Sequence, residues 1–352
     1  MQPQKGKLEL GKEYLPAGEE IAIQEIEKIN KTFLPTHDKP SRRGQHAKHH
    51  GCVKAEFIVE ANLPEEVKFG IFQEPGRSFT ACIRFSNASG DAKQPDTKAD
   101  TRGMAIKLLG VEGEKLLEGE KHEKTQDFVM ISHPVFFIRN VSDYVELFKA
   151  IQEAQGKSPL KFFFPNLNPF RWRLHEFMIV RAIRSKKPAS PLALQYWSTT
   201  PYKLGSGAMK FSAKPSSPPT LSKSASSSDN YLREAMVEHL KSKEASFDFL
   251  VQLQTDANQM PIEDPTIEWK SPELKVATIK IPPQAFDSDA QMEFCENLSY
   301  TPWHSIPTHQ PLGGINRARK LVYQSLSKLR HELNHAPQKE PSEEELLKLF
   351  GE

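Results

Sequence analysis

No window of this 352-residue chain is apolar enough to cross a membrane. Met1 to Leu15 alternates polar and apolar residues without the apolar core of a secretory leader, so a cytoplasmic protein is expected. Cysteine is scarce. Cys52, Cys82 and Cys295 make an odd count without CxxC spacing, which argues against a zinc knuckle or a disulfide framework and predicts reduced core residues. There is little charge of either sign to spare, with 45 acidic residues against 47 basic ones and no single-sign run. That balance speaks against a nucleic-acid or membrane surface as partner and leaves a small molecule. Glycine, at 18, is outnumbered by proline, at 27, and no repeat of fixed period is present. What remains is a soluble globular chain, long enough for a sizeable core in one large domain or two small ones.

The patterns that are present indicate many strands together with several helices. Cys52 to Ala61 alternates, with Val53, Ala55, Phe57 and Val59 on one side. Arg77 to Asn87 alternates again, so Phe79, Ala81, Ile83 and Phe85 share one face, and Thr80, Cys82, Arg84 and Ser86 the other. Further strands are predicted at Gly103–Leu109, Phe128–Ile138, Ser246–Thr255 and Val276–Ile281. Without a βαβ rhythm they predict an antiparallel barrel or sandwich. Helical periodicity covers Glu19–Thr32, Val141–Gln155, Arg171–Ser185, Asn230–Lys243 and Asn316–Asn334, making the class α+β. Ser212 to Asp229 is Ser/Pro-rich and predicts a flexible surface loop; the acidic tail after Pro337 is expected to be peripheral.

Near the C-terminus, Arg319, Tyr323 and Arg330 are four and eleven residues apart, a spacing that returns to one stripe of a helix. An amphipathic helix with solvated arginines would show the same pattern. A metal ligand is the sharper reading, because a guanidinium one turn from a phenol favours the phenolate.

Arg319-Lys-Leu-Val-Tyr323 resembles the Arg-x-x-x-Tyr proximal motif of haem catalases. The preceding Tyr300-Thr-Pro-Trp-His-Ser-Ile-Pro307 is similar to the family's Phe-x-Pro-x-Asn-x-x-Pro signature. Upstream, and in the family's order, stand Arg43-Gly-Gln-His-Ala-Lys48, Cys82-Ile-Arg-Phe-Ser86, Asp100-Thr-Arg-Gly-Met-Ala-Ile-Lys107 and Pro134-Val-Phe-Phe-Ile-Arg139. Agreement of six ordered blocks is far more specific than any one of them.

The resemblance implies an antiparallel eight-stranded β-barrel of catalase type. It implies an N-terminal helix and arm over residues 1–42, a haem-binding barrel with wrapping helices over 43–335, the acidic tail at 336–352, and no flavodoxin-like C-terminal domain. The cofactor it implies is haem b. Tyr323 would ligate the iron with Arg319 beside it, His46 would be the catalytic histidine with Ser86 orienting it, and Arg43, Arg84 and Arg330 would meet the propionates. Phe136, Phe137 and Tyr144 would line the pocket. The implied partners are a hydroperoxide and a small-molecule electron donor, with assembly into a homo-oligomer left open.

One position departs from the family. Where catalases place a distal asparagine, this sequence reads Met130-Ile-Ser-His-Pro134, which puts Ile131 at that position. A more apolar pocket predicts weak turnover of hydrogen peroxide and a preference for organic or fatty-acid hydroperoxides. Ser132 or His133 could restore polarity after a small shift. A haem binder without turnover is the alternative from another class. Three competing signals complete the reading: His331-Glu-Leu-Asn-His335 matches the HExxH motif of zinc hydrolases, His49 and His50 stand near His46, and His304 is a second candidate for the axial ligand.

Overall fold

The computed structural model describes residues 8–34, 39–154, 158–185, 187–217 and 228–351. Among them lie nine strands: β1 (His49–Val59), β2 (Ser78–Asn87), β3 (Arg102–Leu109), β4 (Thr125–Ile131), β5 (Tyr196–Trp197), β6 (Tyr202–Leu204), β7 (Gly207–Pro215), β8 (Ala245–Leu253) and β9 (Glu273–Ile281). The helices are α1 (Glu19–Phe33), α2 (Val141–Ala154), α3 (Leu160–Phe163), α4 (Leu174–Ile183), α5 (Tyr231–Leu240), α6 (Asp289–Asn297), α7 (Gly314–Asn334) and α8 (Glu343–Phe350).

Hydrogen bonding runs in the order β5, β4, β3, β2, β1, β9, β8, β7, and β5 pairs back to β7, so eight antiparallel strands close on themselves. β6 is an extra strand paired to β7. The expected α+β barrel is therefore the observed fold. Side-chain alternation decides what faces where. On β2, Phe79, Ala81, Ile83 and Phe85 point into the barrel core, which leaves Arg84 and Ser86 on the outer face. Inside, Phe57, Phe128, Phe211 and Phe249 pack edge to face, with centroids 5.1 Å apart for Phe57–Phe249, 5.0 Å for Phe128–Phe211 and 4.9 Å for Phe128–Phe249. The barrel is filled, so a ligand must bind outside it.

Helices α1, α2 and α7 form that outside layer. They pack through Ile26, Ile29, Val145, Phe148, Ala318 and Val322. Arg317, in the first turn of α7, would be unfavourable against the helix dipole by itself. It is held by Glu13, by Glu19 at 2.6 Å and by Glu263 at 2.8 Å, which ties the helix to the N-terminal arm.

Four expectations change. β4 ends at Ile131 rather than Ile138, because Pro134 cannot donate to a ladder and the chain turns out to carry Phe136 and Phe137 away from the sheet. β7 runs through Ser212 to Pro215, so that part of the expected loop is strand; residues 218–227 lie outside the described residues. Cys52 on β1 and Cys295 on α6 are joined as a disulfide with Cα atoms 5.4 Å apart, and only Cys82 is a free, buried thiol. A sequence separation of 243 residues gave no sign of that neighbourhood. The segment after Pro337 is docked rather than peripheral: Leu346 of α8 is fully buried, and Glu340 pairs with the buried Lys107.

Candidate functional site

Between the outer face of β2, β3 and β4 and the helical layer lies a cavity of about 340 Å³. The ten side chains that the family resemblance assigns to catalysis, cofactor contact or metal ligation all line it.

On the barrel wall, His46 belongs to the loop before β1 and sits at φ 56°, a left-handed conformation that non-glycine residues adopt mainly where the surroundings enforce it. Three bonds enforce it here. The His46 amide donates to Ala88 at 3.0 Å, its carbonyl accepts from Arg84 at 2.9 Å, and its Nδ1 shares a hydrogen bond with Ser86 at 2.9 Å. Gly103, opposite Ser86 on β3, makes room for the ring: a Cβ there would lie 2.6 Å from His46 Nδ1. Burial, and then the charges of Arg84, Arg319 and Arg43, push the His46 pKa down to about 3. The imidazole is thus neutral at physiological pH, a proton acceptor with Nδ1 engaged by Ser86.

Beside it stands a concentration of guanidinium charge. Arg43 pairs with Glu296 at 3.0 Å, and Arg42 reaches the same carboxylate at 2.8 Å. Arg330 spends its donors on the carbonyls of Glu296 and Leu298, at 2.7 and 3.2 Å. Arg84 is buried, and its Nε has no hydrogen-bond partner among the described residues. Burial first, and the Arg43 charge second, lower the pKa of both Arg84 and Arg330, the latter to about 9. One carboxylate among four arginines leaves an unbalanced positive field with an unfilled donor, a place for anionic groups.

On the helical wall, Arg319 donates to the Tyr323 hydroxyl at 3.2 Å, and its guanidinium carbon lies 5.0 Å from the centre of that ring. Asn316, accepting at 3.2 Å from the other end of the fork, aims it. Burial opposes the Arg319 charge, but the phenols of Tyr323 and Tyr202 outweigh it and raise its pKa. Tyr144 packs on Phe148 and Phe136, and burial raises its pKa, so it stays a neutral phenol.

Ile131 lines the cavity and stands directly across the β3–β4 ladder from Gly103. Ser132 does not compensate: its hydroxyl accepts from the Arg102 amide at 3.0 Å, and neither Ser132 nor His133 belongs to the cavity wall. Sequence reasoning missed Glu296, which lies in a helix without a motif, and the wall residues Thr199 and Thr200. Thr199, at φ 60°, leaves no mark in sequence except the proline that follows Thr200.

The competing signals resolve elsewhere. His304 is outside the cavity, in a buried cluster with Asp127 at 2.8 Å and Glu120 at 2.6 Å; against burial and the Lys107 charge, Asp127 and Glu340 hold its pKa up at about 10. Asp127, His304 and Glu340 have metal-ligand spacing, but the Lys107 ammonium sits among them, 2.7 Å from Asp127. In the HExxH run, His331 lies in the last turn of α7 with its nitrogens 2.7 and 2.9 Å from the carbonyls of Ser327 and Asn297. His335 is already beyond the helix, left-handed and exposed, so the two rings do not converge. His49 faces Glu296 at 3.4 Å and His50 bonds Asn87 at 3.0 Å, so neither joins His46.

A family model described as catalase matches residues 7–206. A catalase of Methanosarcina barkeri (strain Fusaro) is 26% identical over 187 residues, 52% of this chain and 34% of that protein. A catalase-like protein of Staphylococcus aureus is 31% identical over 113 residues, 32% of this chain and 22% of that one. The matches thus span about a third or less of those relatives' length. Among solved structures, a fungal catalase and catalase A of Saccharomyces cerevisiae each superpose with a TM-score of 0.65 over 97% of this chain. They do so at 19% and 21% identity, with 70% and 72% of their own chains covered, a likeness of fold.

Proposed function

The chain belongs to the catalase family, and on that basis we propose that it is a haem-dependent oxidoreductase acting on hydroperoxides, favouring organic or fatty-acid hydroperoxides over hydrogen peroxide. The observation that carries the preference is Ile131 on the cavity wall opposite Gly103, with no side chain from Ser132 or His133 to replace the missing amide.

The residues present fit a haem. The cavity is predominantly apolar, and the unpartnered Arg84 Nε with the surplus of arginine charge suits two propionates. Arg43, Arg84 and Arg330 would hold those propionates, Phe136, Phe137 and Tyr144 would pack the macrocycle, and Tyr323 would ligate the iron with Arg319 donating to its oxygen. When bound, ferric haem supplies a Lewis-acidic, redox-active centre for cleavage of the O–O bond. His46, neutral and oriented by Ser86, would take the hydroperoxide proton on Nε2 and return it to the departing oxygen. Val129, Ile131 and Ile183 offer that substrate an apolar wall on which an alkyl chain is better accommodated than water or hydrogen peroxide.

Optical and iron analysis of the purified protein followed by steady-state kinetics tests this reading. One haem per chain with a tyrosinate spectrum, no zinc, and a higher kcat/KM for a fatty-acid hydroperoxide than for hydrogen peroxide are expected. The reverse order of substrates would sink the preference. A haem-loaded chain inert toward both would instead be a non-enzymatic haem binder.

A further inference from the structure

The balanced charge of the whole chain conceals a local imbalance. Between Ser158 and Lys187 the sequence has seven basic residues, Lys161, Arg171, Arg173, Arg181, Arg184, Lys186 and Lys187, and one acid, Glu176. Glu176 is buried. Lys161 and Arg173 are committed to Glu153 and to Asp143 and Glu146. Arg171, Arg181, Arg184 and Lys187 are exposed and pair with no carboxylate among the described residues.

The same segment displays its apolar side chains to solvent. Leu167 is 95% exposed and Phe170 98%, at the tip of the loop between α3 and α4, and Leu160, Leu174 and Met178 are about half exposed. Leu174 and Met178 are one turn apart and share a face of α4. The loop is tied to itself, since the Trp172 indole donates to the Asn166 carbonyl at 2.8 Å and the Arg173 amide to Phe163 at 2.9 Å. These side chains are therefore held outward by a built hairpin. Large apolar residues concentrated on one exposed element mark an interaction surface.

The opposite face of α4 reaches the cavity. Ile179 and Ile183 pack against Phe137 and Val135, and Ile183 lines the cavity wall. One helix thus carries exposed leucine and methionine on one side and the wall of the site on the other.

We propose that the α3–α4 hairpin docks the protein on anionic phospholipid bilayers, inserting Leu167 and Phe170 at the headgroup boundary while the arginines meet lipid phosphates. The occupant is argued from chemistry: projecting Leu and Phe in a basic field with no exposed carboxylate within the segment match the apolar and anionic layers of a membrane surface. No helix among the described residues is long and apolar enough to span a bilayer, so the contact is interfacial. The proposal departs from the exclusion of a membrane surface drawn from total charge. Resting on the proposed preference for fatty-acid hydroperoxides, it also places the cavity beside the lipid phase that contains their precursors.

Vesicle co-sedimentation of the full chain tests the docking independently of turnover. Binding to vesicles of phosphatidylcholine with phosphatidylglycerol is expected, with little to phosphatidylcholine alone, and with loss at high salt. Leu167→Ser combined with Phe170→Ser, and separately Arg181→Glu with Arg184→Glu, should each weaken that binding by roughly tenfold or more, with circular dichroism unchanged because all four side chains are exposed. Turnover of cumene hydroperoxide, which needs no membrane, should be unaffected, and its absence in the parent protein would fail the functional reading alone. Equal binding to both vesicle types, no binding, or self-association abolished by the Leu167/Phe170 pair would overturn the proposal, the last by assigning the patch to a second copy of the chain.

Discussion

His46 is held by a main-chain conformation, a serine and a glycine that makes room for its ring, and Ile131 pairs with that glycine across the ladder. Substitution at Ile131 is therefore the most direct probe of substrate choice. Ile131→Asn should raise kcat/KM for hydrogen peroxide by roughly tenfold while lowering it for a fatty-acid hydroperoxide, since a hydrogen-bonding group selects for a small polar substrate. Unchanged ratios in paired kinetics would reject Ile131 as the discriminating residue. Replacing His46 by Ala should lower turnover of both substrates by about 10²–10⁴-fold with haem content retained, a split between activity and loading that a folding defect would not give. Much of this site was legible because its residues belong to short motifs: Arg43, His46, Arg84, Ser86 and Tyr323 stand at spacings that sequence displays directly. Glu296 and Gly103 were not assigned, for their roles arise only when α6 meets the Arg43 loop and when β3 is laid against β2.

At the scale of elements, α8 shows what local pattern does not disclose. Its eight residues follow a charged stretch, yet Leu346 is fully buried in the cluster with Cys52, Cys82 and Cys295. Leu346→Ala is expected to destabilise the fold by about 2–5 kcal/mol, read as a shift in denaturant midpoint at constant slope. A change below about 0.5 kcal/mol would mean that α8 is not docked in solution. Long alternating strands such as β2 could be recognised because a buried face imposes period two over many residues. β5 and β6 are too short to have a period, and β7 was obscured because its end, Ser212 to Pro215, merges with a Ser/Pro-rich run. β4 was drawn too long for the opposite reason, an apolar run that continues past the sheet into Phe136 and Phe137.

Across the whole molecule, buried histidines couple folding to pH. Burial is the leading cause in each case: it lowers His46 and His50 to about 3 and His309 to about 4, from 6.5. In the unfolded chain these groups take up protons near pH 6.5, whereas in the fold they remain neutral to pH 4 or below, so unfolding binds protons in that window and stability falls with acidity. His304, with its pKa raised to about 10, is charged in both states there and does not offset the loss. The melting temperature of the haem-free protein should accordingly decline steadily from pH 6.5 to 4.5, and a flat profile in differential scanning calorimetry would contradict it. The cavity also draws its walls from distant parts of the chain, with Asn30 and His46 early, and Ile315 to Arg330 late, beyond the last barrel strand β9. A ribosome must therefore release nearly all of this polypeptide before the two walls can meet. On the proposed function, haem acquisition would then be a maturation step that follows synthesis, with His46 already made and Tyr323 not yet laid over it.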